Sequence, residues 1–118
     1  MKFLLLIVNA PDAWDTMAAS QQQQIIDRMN AFGAELDKAG ALVTCGGLAP
    51  PTTATTVHIA SEHQSVSDGP ALVARTGDAN ITGFFIVEAD TQGGAVEWAK
   101  RLPVIDDSRI EVRHIAQE

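Results

Sequence analysis

Two stretches of the chain are apolar at nearly every position, residues 2–8 and residues 83–89. A strand with one solvated face alternates apolar and polar side chains, whereas a strand buried on both faces reads as a continuous apolar run. Both alternate sets of each stretch are apolar here. We therefore predict that these two stretches are the central strands of a sheet.

A helix is predicted after the first strand, at residues 21–39. Its apolar stripe recurs at intervals of four, three and four residues, at Ile25, Met29, Phe32 and Leu36. Ser20 followed by Gln23 matches a capping box, so we expect the helix to begin at Gln21. Gly40 is positioned as a left-handed cap at its C-terminus.

A second helix is predicted at residues 92–102, after the second central strand. Asp90 or Thr91 supplies its N-cap, and Pro103 stops it. Its apolar stripe consists of Ala95, Trp98, Ala99 and Leu102. We expect both helices to cover the same face of the sheet.

The other strands are shorter. A strand is predicted at residues 41–45, where Gly46-Gly47 breaks it. An edge strand is predicted at residues 55–60 and a half-buried closing strand at residues 109–115. Residues 61–79 are polar and contain Gly and Pro, which predicts a hairpin-like connection with a turn at residues 67–70. An irregular excursion through residues 71–80 is expected to follow.

The resulting order, β-α-β-β-α-β, is that of an α+β ferredoxin-like sandwich, whose central strands come first and third. Two helices cover only one sheet face, so the apolar side chains of the other face need a second sheet. We predict that a second copy of the chain covers them in a homodimer. Either Leu4→Glu or Phe85→Glu, whichever side chain faces outward, should then disrupt the dimer.

Composition narrows the functional classes. A chain of 118 residues fits a single domain spanning residues 1–118. The net charge of −7 without a Lys/Arg cluster argues against nucleic acid as a partner. The apolar run at the N-terminus is too short for a signal or a membrane span, and the single cysteine fits a reducing compartment. A cytoplasmic protein that does not bind membranes is therefore predicted.

No metal or cofactor motif is recognisable in the sequence. His58, His63 and His114 lack metal-ligand spacing, and we interpret them as ordinary histidines, with His58 the nearest to a possible cleft. Gly93-Gly94 opens a helix but lacks the context of a phosphate-binding loop. We accordingly predict neither a metal nor a cofactor.

Eight short tracts of the chain together resemble the YCII-related family, in its DGPF branch. They lie at residues 2–6, 39–40, 46–48, 51–57, 67–70, 83–87, 97–99 and 110–113. The resemblance covers nearly the whole chain. It implies a ferredoxin-like subunit of the dimeric α+β barrel type, with a cleft between the sheet and the partner. Most relatives lack an assigned activity, some are dehydrochlorinases of hydroxylated aromatics, and others are encoded beside or fused to sigma factors.

The chain departs from that family pattern in three places. Ala71 replaces the Phe that usually follows Asp-Gly-Pro, and residues 72–81 replace the usual charged tract. The catalytic His-Asp pair proposed for the wider family aligns with Met29 and Leu102, neither of which can carry a proton. The resemblance therefore implies a member without that pair.

Three residues are candidates for a ligand site. Asp68 can act as a general base or anchor a ligand, or it is only the cap of an Asp-Gly-Pro turn. Arg113 shares a strand face with Arg109 and Glu111, where it grips a carboxylate or phenolate, or forms a structural ion pair with a neighbour of Glu111 or with Asp68. His58 is the third candidate. Cys45 is expected to be a buried, inert thiol rather than a nucleophile.

Two functions follow from these candidates. In the first, the protein is a dimeric module that binds a small aromatic or carboxylated molecule near Asp68 and Arg113 without converting it. In the second, it is a lyase-like or dehydrochlorinase-like enzyme in which Asp68 or His58 moves the proton and Arg113 stabilises an oxyanion. The missing His-Asp pair favours the binding module.

Overall fold

A computed structural model of the chain describes residues 1–10, 12–71 and 80–117. The elements follow one another as β1 (Lys2–Asn9), α1 (Ala19–Lys38), β2 (Leu42–Gly47), a 3-10 turn (Pro51–Thr53), β3 (Thr55–Ala60), β4 (His63–Asp68), β5 (Asn80–Glu88), α2 (Gln92–Lys100) and β6 (Arg109–His114). Within the described chain, no helix is both long and apolar enough to cross a membrane.

The main sheet has four antiparallel strands in the order β2-β5-β1-β6. The two strands that are apolar on both faces, β1 and β5, occupy the centre, as predicted from their composition. This order is the predicted ferredoxin-like arrangement, an α+β fold with both helices on one face of the sheet.

The two faces of the central strands differ in burial. On β1, the side chains of Phe3, Leu5 and Ile7 are 0%, 0% and 5% exposed. They pack with α1 and α2 residues in one core cluster, in which Phe32 meets Phe85 edge-to-face at 5.4 Å between ring centroids. Phe85 therefore points inward.

The opposite sheet face, hereafter the helix-free face, carries the alternate side chains of the central strands. Along most of the two strands these side chains are apolar and half-buried: Leu4, Leu6, Val8, Phe84 and Ile86. At one end, the charged residues Lys2 and Glu88 occupy the same face. Leu4 lies opposite Ile86 on one side and Arg113 on the other. Leu4, not Phe85, is thus the outward-facing residue of the pair considered for mutation.

The strands β3 and β4 form a separate two-stranded hairpin, which corrects two predictions. Residues 55–60 form a strand with the predicted bounds, but it pairs with β4 instead of extending the main sheet. Residues 63–68 form a strand rather than a loop. The sequence of β4 is polar, so it gave no apolar periodicity by which to recognise a strand. The radius of gyration, 15.8 Å, exceeds the roughly 13.5 Å typical of a compact chain of this length, which fits a projecting hairpin.

The helix caps agree with prediction except at the start of α1. Thr91 Oγ1 accepts a hydrogen bond from Gly94 N–H at 3.1 Å, and Gly40 adopts a left-handed φ of 73°. However, Ser20 is not the N-cap of α1. The helix begins at Ala19, and the side chain that reaches back to cap it is that of Gln21 instead of Gln23. Gln21 Oε1 accepts a hydrogen bond from the otherwise free Ala18 N–H at 3.3 Å.

Gly46 and Gly47 do not break β2, contrary to prediction. The strand runs through both residues and pairs with β5. A Cβ on Gly46 would lie 3.0 Å from the Phe84 ring, so the missing side chain allows the aromatic ring to pack there. The predicted excursion through residues 71–80 lies almost entirely outside the described residues.

Gly83→Ala should lower the free energy of unfolding by about 1–3 kcal/mol, the usual cost of overpacking. A Cβ at Gly83 would approach the Gly46 carbonyl oxygen at 3.0 Å, and a paired strand backbone cannot move away cheaply. Gly47→Ala is the control, since its Cβ meets nothing within 4 Å. Urea unfolding measures both, and equal stability of the two variants would contradict the packing argument.

Candidate functional site

A cavity of about 980 Å³ opens between α1 and the helix-covered face of the sheet. Small-molecule sites in proteins commonly measure about 300–1,000 Å³, so this one is at the large end. Its walls come from α1, β2, the beginning of β5 and the chain that follows α2. We call it the α1 cavity.

The burial of the α1 stripe explains why the cavity forms. Phe32 and Leu36 are 5% and 0% exposed, whereas Ile25 and Met29, which precede them on the same stripe, are only half-buried and line the cavity. Gly33 also lines it and has open space where a Cβ would be. The side of α1 that carries Ile25, Met29 and Gly33 therefore leaves a gap above the sheet that its own side chains do not fill.

The lining is mainly apolar, with one polar corner. Asn9 Nδ2 donates to Thr82 Oγ1 at 3.0 Å, and Ser108 Oγ donates to Asn9 Oδ1 at 2.5 Å. Asn9 and Thr82 both line the cavity. This network joins β1, β5 and the segment before β6, so the corner has a defined geometry. Sites with an apolar body and few fixed polar groups suit ligands of the same character.

Trp14 lines the cavity from the segment between β1 and α1. Its ring is half-buried, and its backbone carbonyl accepts a hydrogen bond from Gln22 Nε2 at 2.8 Å. Since Gln22 belongs to the first turns of α1, this bond fixes the segment relative to the helix. A Trp side chain at a cavity edge supplies both apolar area and an aromatic face.

The titratable groups of the lining are Asp15, Asp37 and Cys45, among the described residues. Both carboxylates are exposed. Cys45 is also exposed, which corrects the prediction of a buried thiol. The reason is that β2 is an edge strand and Cys45 projects from it over the open side of the cavity, opposite Phe85.

The three residues predicted to form a ligand site lie on separate parts of the molecule. His58 and Asp68 belong to the β3–β4 hairpin, where the register places their side chains on opposite faces. Arg113 lies on β6, at the far edge of the sheet from β2. In the described chain, none of the hydrogen bonds or ion pairs joins any two of these residues.

Arg113, Asp68 and the histidines each have local contacts or a local position that differ from one another. Arg113 forms a structural ion pair, but its partner is Glu111 Oε2 on its own strand, 2.6 Å away, and not Asp68 or a neighbour of Glu111. Asp68 is the last residue of β4, and Gly69 follows with a φ of 102°. His58 is exposed, and His63 begins β4 rather than lying in a loop. His114 lies against Phe3 at 5.2 Å between ring centroids.

The positions aligned with the family's His-Asp pair have different surroundings. Met29 lines the α1 cavity, whereas Leu102 is 8% exposed and belongs to the core cluster. No cluster of three or more His, Cys, Asp or Glu side chains suited to a metal occurs among the described residues.

Sequence reasoning missed the cavity, although one signal pointed to it. Gly33 stands in the middle of a helical pattern, where glycine costs about 1 kcal/mol relative to alanine, and such a residue usually has a packing or functional reason. Asn9, at the end of β1, is a polar wall of the same cavity, which no feature of the sequence around it indicates.

The fold and the α1 cavity define a small α+β protein with a four-stranded antiparallel sheet and a ligand-sized pocket under its first helix. The family model of the YCII-related domain matches residues 1–118, so the chain belongs to that family. No protein with a curated description matches the chain in sequence.

Proposed function

We propose that the protein is a homodimeric module that binds a small, largely apolar molecule in the α1 cavity and does not convert it. The observation that carries this proposal is the cavity itself, about 980 Å³ with mostly apolar walls and one fixed polar corner. Met29, in the position that aligns with the family's histidine, faces this cavity and cannot transfer a proton. Binding without turnover fits such a lining.

The homodimer rests on two unpartnered apolar surfaces. The first is the helix-free face of the central strands. The second is one side of the hairpin, where Val57, Ile59 and Val66 are 55%, 71% and 68% exposed. Contiguous apolar surface that is accessible to solvent commonly marks an interaction site, and a second copy of the same chain offers a matching sheet.

A cytoplasmic location is proposed on chemical grounds. The only cysteine, Cys45, is a free and exposed thiol. Such a thiol remains reduced most readily in the cytosol, where glutathione and thioredoxin systems act.

The predicted group of Asp68, Arg113 and His58 is a second proposed location for a ligand. The hairpin and β6 stand on different parts of one protomer, so a partner subunit would have to bring them together in a cleft. The lyase-like alternative uses this location, with Asp68 or His58 as the base. Turnover of a bound phenol that is abolished in Asp68→Asn would support that alternative against binding alone.

A cavity-filling variant tests the proposed site. Gly33→Leu should abolish ligand binding, because the new side chain points into the space that Gly33 leaves open. Neither Gly33→Leu nor Gly33→Ala should weaken the fold, since both residues favour helix over glycine by about 0.5–1 kcal/mol. Thermal shifts with small phenols, neutral aromatics and carboxylates identify ligands, and calorimetric titration measures the affinities.

Gly33→Ala is the matched control and should keep most of the affinity. A ligand at a hundred times its Kd stabilises the folded state by about 2.7 kcal/mol, and this gain should vanish only in Gly33→Leu. If Gly33→Leu binds as tightly as the unmodified protein while Arg113→Ala loses binding, the ligand occupies the predicted Asp68–Arg113 location instead.

A further inference from the structure

The charged groups around the α1 cavity are all of one sign. Asp15 and Asp37 line it, and among the described residues no Lys, Arg or His side chain does. Neither carboxylate takes part in a hydrogen bond or ion pair within the described chain. The described lining therefore carries only negative charge, and a cleft with low-dielectric walls strengthens the field of such charges.

Three of the chain's eight basic side chains pair with carboxylates that do not line the cavity, and Arg28 and Lys38, which lie on α1, do not line it either. Lys100 pairs with Glu97, Arg101 with Glu35, and Arg113 with Glu111. The whole chain has a net charge of −7, so its background potential has the same sign as the lining. A carboxylate entering the cavity would lose hydration and meet only like charge, which disfavours binding.

The two carboxylates stand at different ends of the cavity. The α1 residues that line it extend from Ile25 to Asp37, about 18 Å along the axis at the rise of an α-helix. Asp37 lies near the C-terminus of the helix, whereas Asp15 precedes its N-terminus and follows Trp14 directly. One ligand head group can contact only one of them.

The Trp14 end combines the two features that recognise an ammonium group. A cation over an aromatic face gains from the ring quadrupole, most strongly for Trp, and an adjacent carboxylate adds an ion pair. Trp14 and Asp15 both line the cavity at this end. The Asp37 end has no aromatic side chain next to it in sequence.

We propose that the α1 cavity selects a cationic amphiphile, an organic amine with an apolar body, whose ammonium group lies against Trp14 and Asp15. This inference rests on the proposed function, since it specifies the ligand class of the same cavity. It replaces the carboxylated ligand expected from sequence with one of opposite charge. The body would occupy the apolar space beside Met29 and Gly33.

Three probes with one hydrocarbon body test the proposal: naphthylmethylamine, naphthylmethanol and naphthoate of the same ring isomer. Calorimetric titration at pH 7 should give the order amine, alcohol, carboxylate, from tightest to weakest. Each favourable or unfavourable charge contact should change Kd by about two- to fivefold, as for other exposed ion pairs. Added salt should weaken only the amine.

Three variants test which carboxylate contacts the ammonium group of the ligand. Asp15→Asn should reduce the preference for amine over alcohol to near unity and leave the alcohol affinity unchanged. Asp37→Asn should have a smaller effect, and Asp27→Asn, on an exposed part of α1 that does not line the cavity, should have none. Loss of the preference in Asp37→Asn but not in Asp15→Asn would overturn the placement at Trp14.

The outcomes separate this inference from the function on which it rests. Binding of the alcohol with no advantage for the amine overturns the charge selection and leaves the proposed function standing. Tightest binding by the carboxylate overturns it as well. The proposed function fails, and this inference with it, if none of the three probes binds. The same holds if all three bind Gly33→Leu as tightly as they bind the unmodified protein.

Discussion

Replacing Leu5 with Glu should prevent the chain from folding. Leu5 is fully buried, on the central strand β1, between Phe85 on β5 and Val112 on β6. A carboxylate there would be desolvated without a partner, which costs at least about 4 kcal/mol, against the roughly 5–15 kcal/mol by which folded domains are stable. Circular dichroism and urea unfolding measure the loss.

Leu5→Met is the control for this variant. It conserves volume and apolar character, so it should cost less than about 1.5 kcal/mol. A Leu5→Glu protein with a native urea midpoint would show that Leu5 does not lie in the core. The register of β1 would then be shifted by one residue, because such a slip exchanges the two faces of a strand.

The sequence predicted the main sheet well because the pattern of its central strands depends on burial alone. A strand that is apolar on both faces is typical of the centre of a sheet, where it has a paired strand at each edge. In this four-stranded sheet those central positions belong to β1 and β5. The helix stripes, the Thr91 cap and the Gly40 cap follow from local chemistry in the same way. Family membership across residues 1–118 agrees with this reading.

The second strand of the hairpin, β4, was harder to predict than β3 because its sequence gives little local signal. His63–Asp68 contains a single apolar residue, Val66, and its pairing with β3 depends on a turn at Ser61-Glu62 rather than on burial. Strand propensity is weak where a strand is solvated on both faces. The same lack of burial left Asp68 to be interpreted as part of a turn.

The candidate site could not be derived from sequence because a cavity forms where apolar side chains fail to meet, and the apolar pattern is the same whether or not they meet. Ile25 and Met29 continue the stripe of Phe32 and Leu36 without a break, so all four positions predict the same burial. Only the path of α1 over the sheet decides which of them reach the core. A group of candidate residues chosen by chemical type, such as Asp68, Arg113 and His58, carries no information on that path.

Leu4→Glu, one residue from the core position, should leave the protomer folded and separate the proposed dimer. Leu4 lies on the helix-free face and is half-buried in a single protomer. A carboxylate at this position remains hydrated in the monomer, because no other described element of the protomer covers the helix-free face there. The fold should therefore lose little stability when the dimer is absent.

In the dimer the same carboxylate would be buried against a second sheet. A two-fold interface contains the substitution twice, so a cost of about 3 kcal/mol for each charge would weaken dimerisation by about 6 kcal/mol, or roughly four orders of magnitude in Kd. Light scattering and analytical ultracentrifugation should show a dimer for the unmodified protein and a monomer for Leu4→Glu. Leu4→Met, which keeps the apolar face, and Gln24→Glu, which adds one negative charge on an exposed position of α1, should both remain dimeric. A monomeric unmodified protein, or a Leu4→Glu variant that dimerises with unchanged affinity, would exclude the helix-free face as the interface.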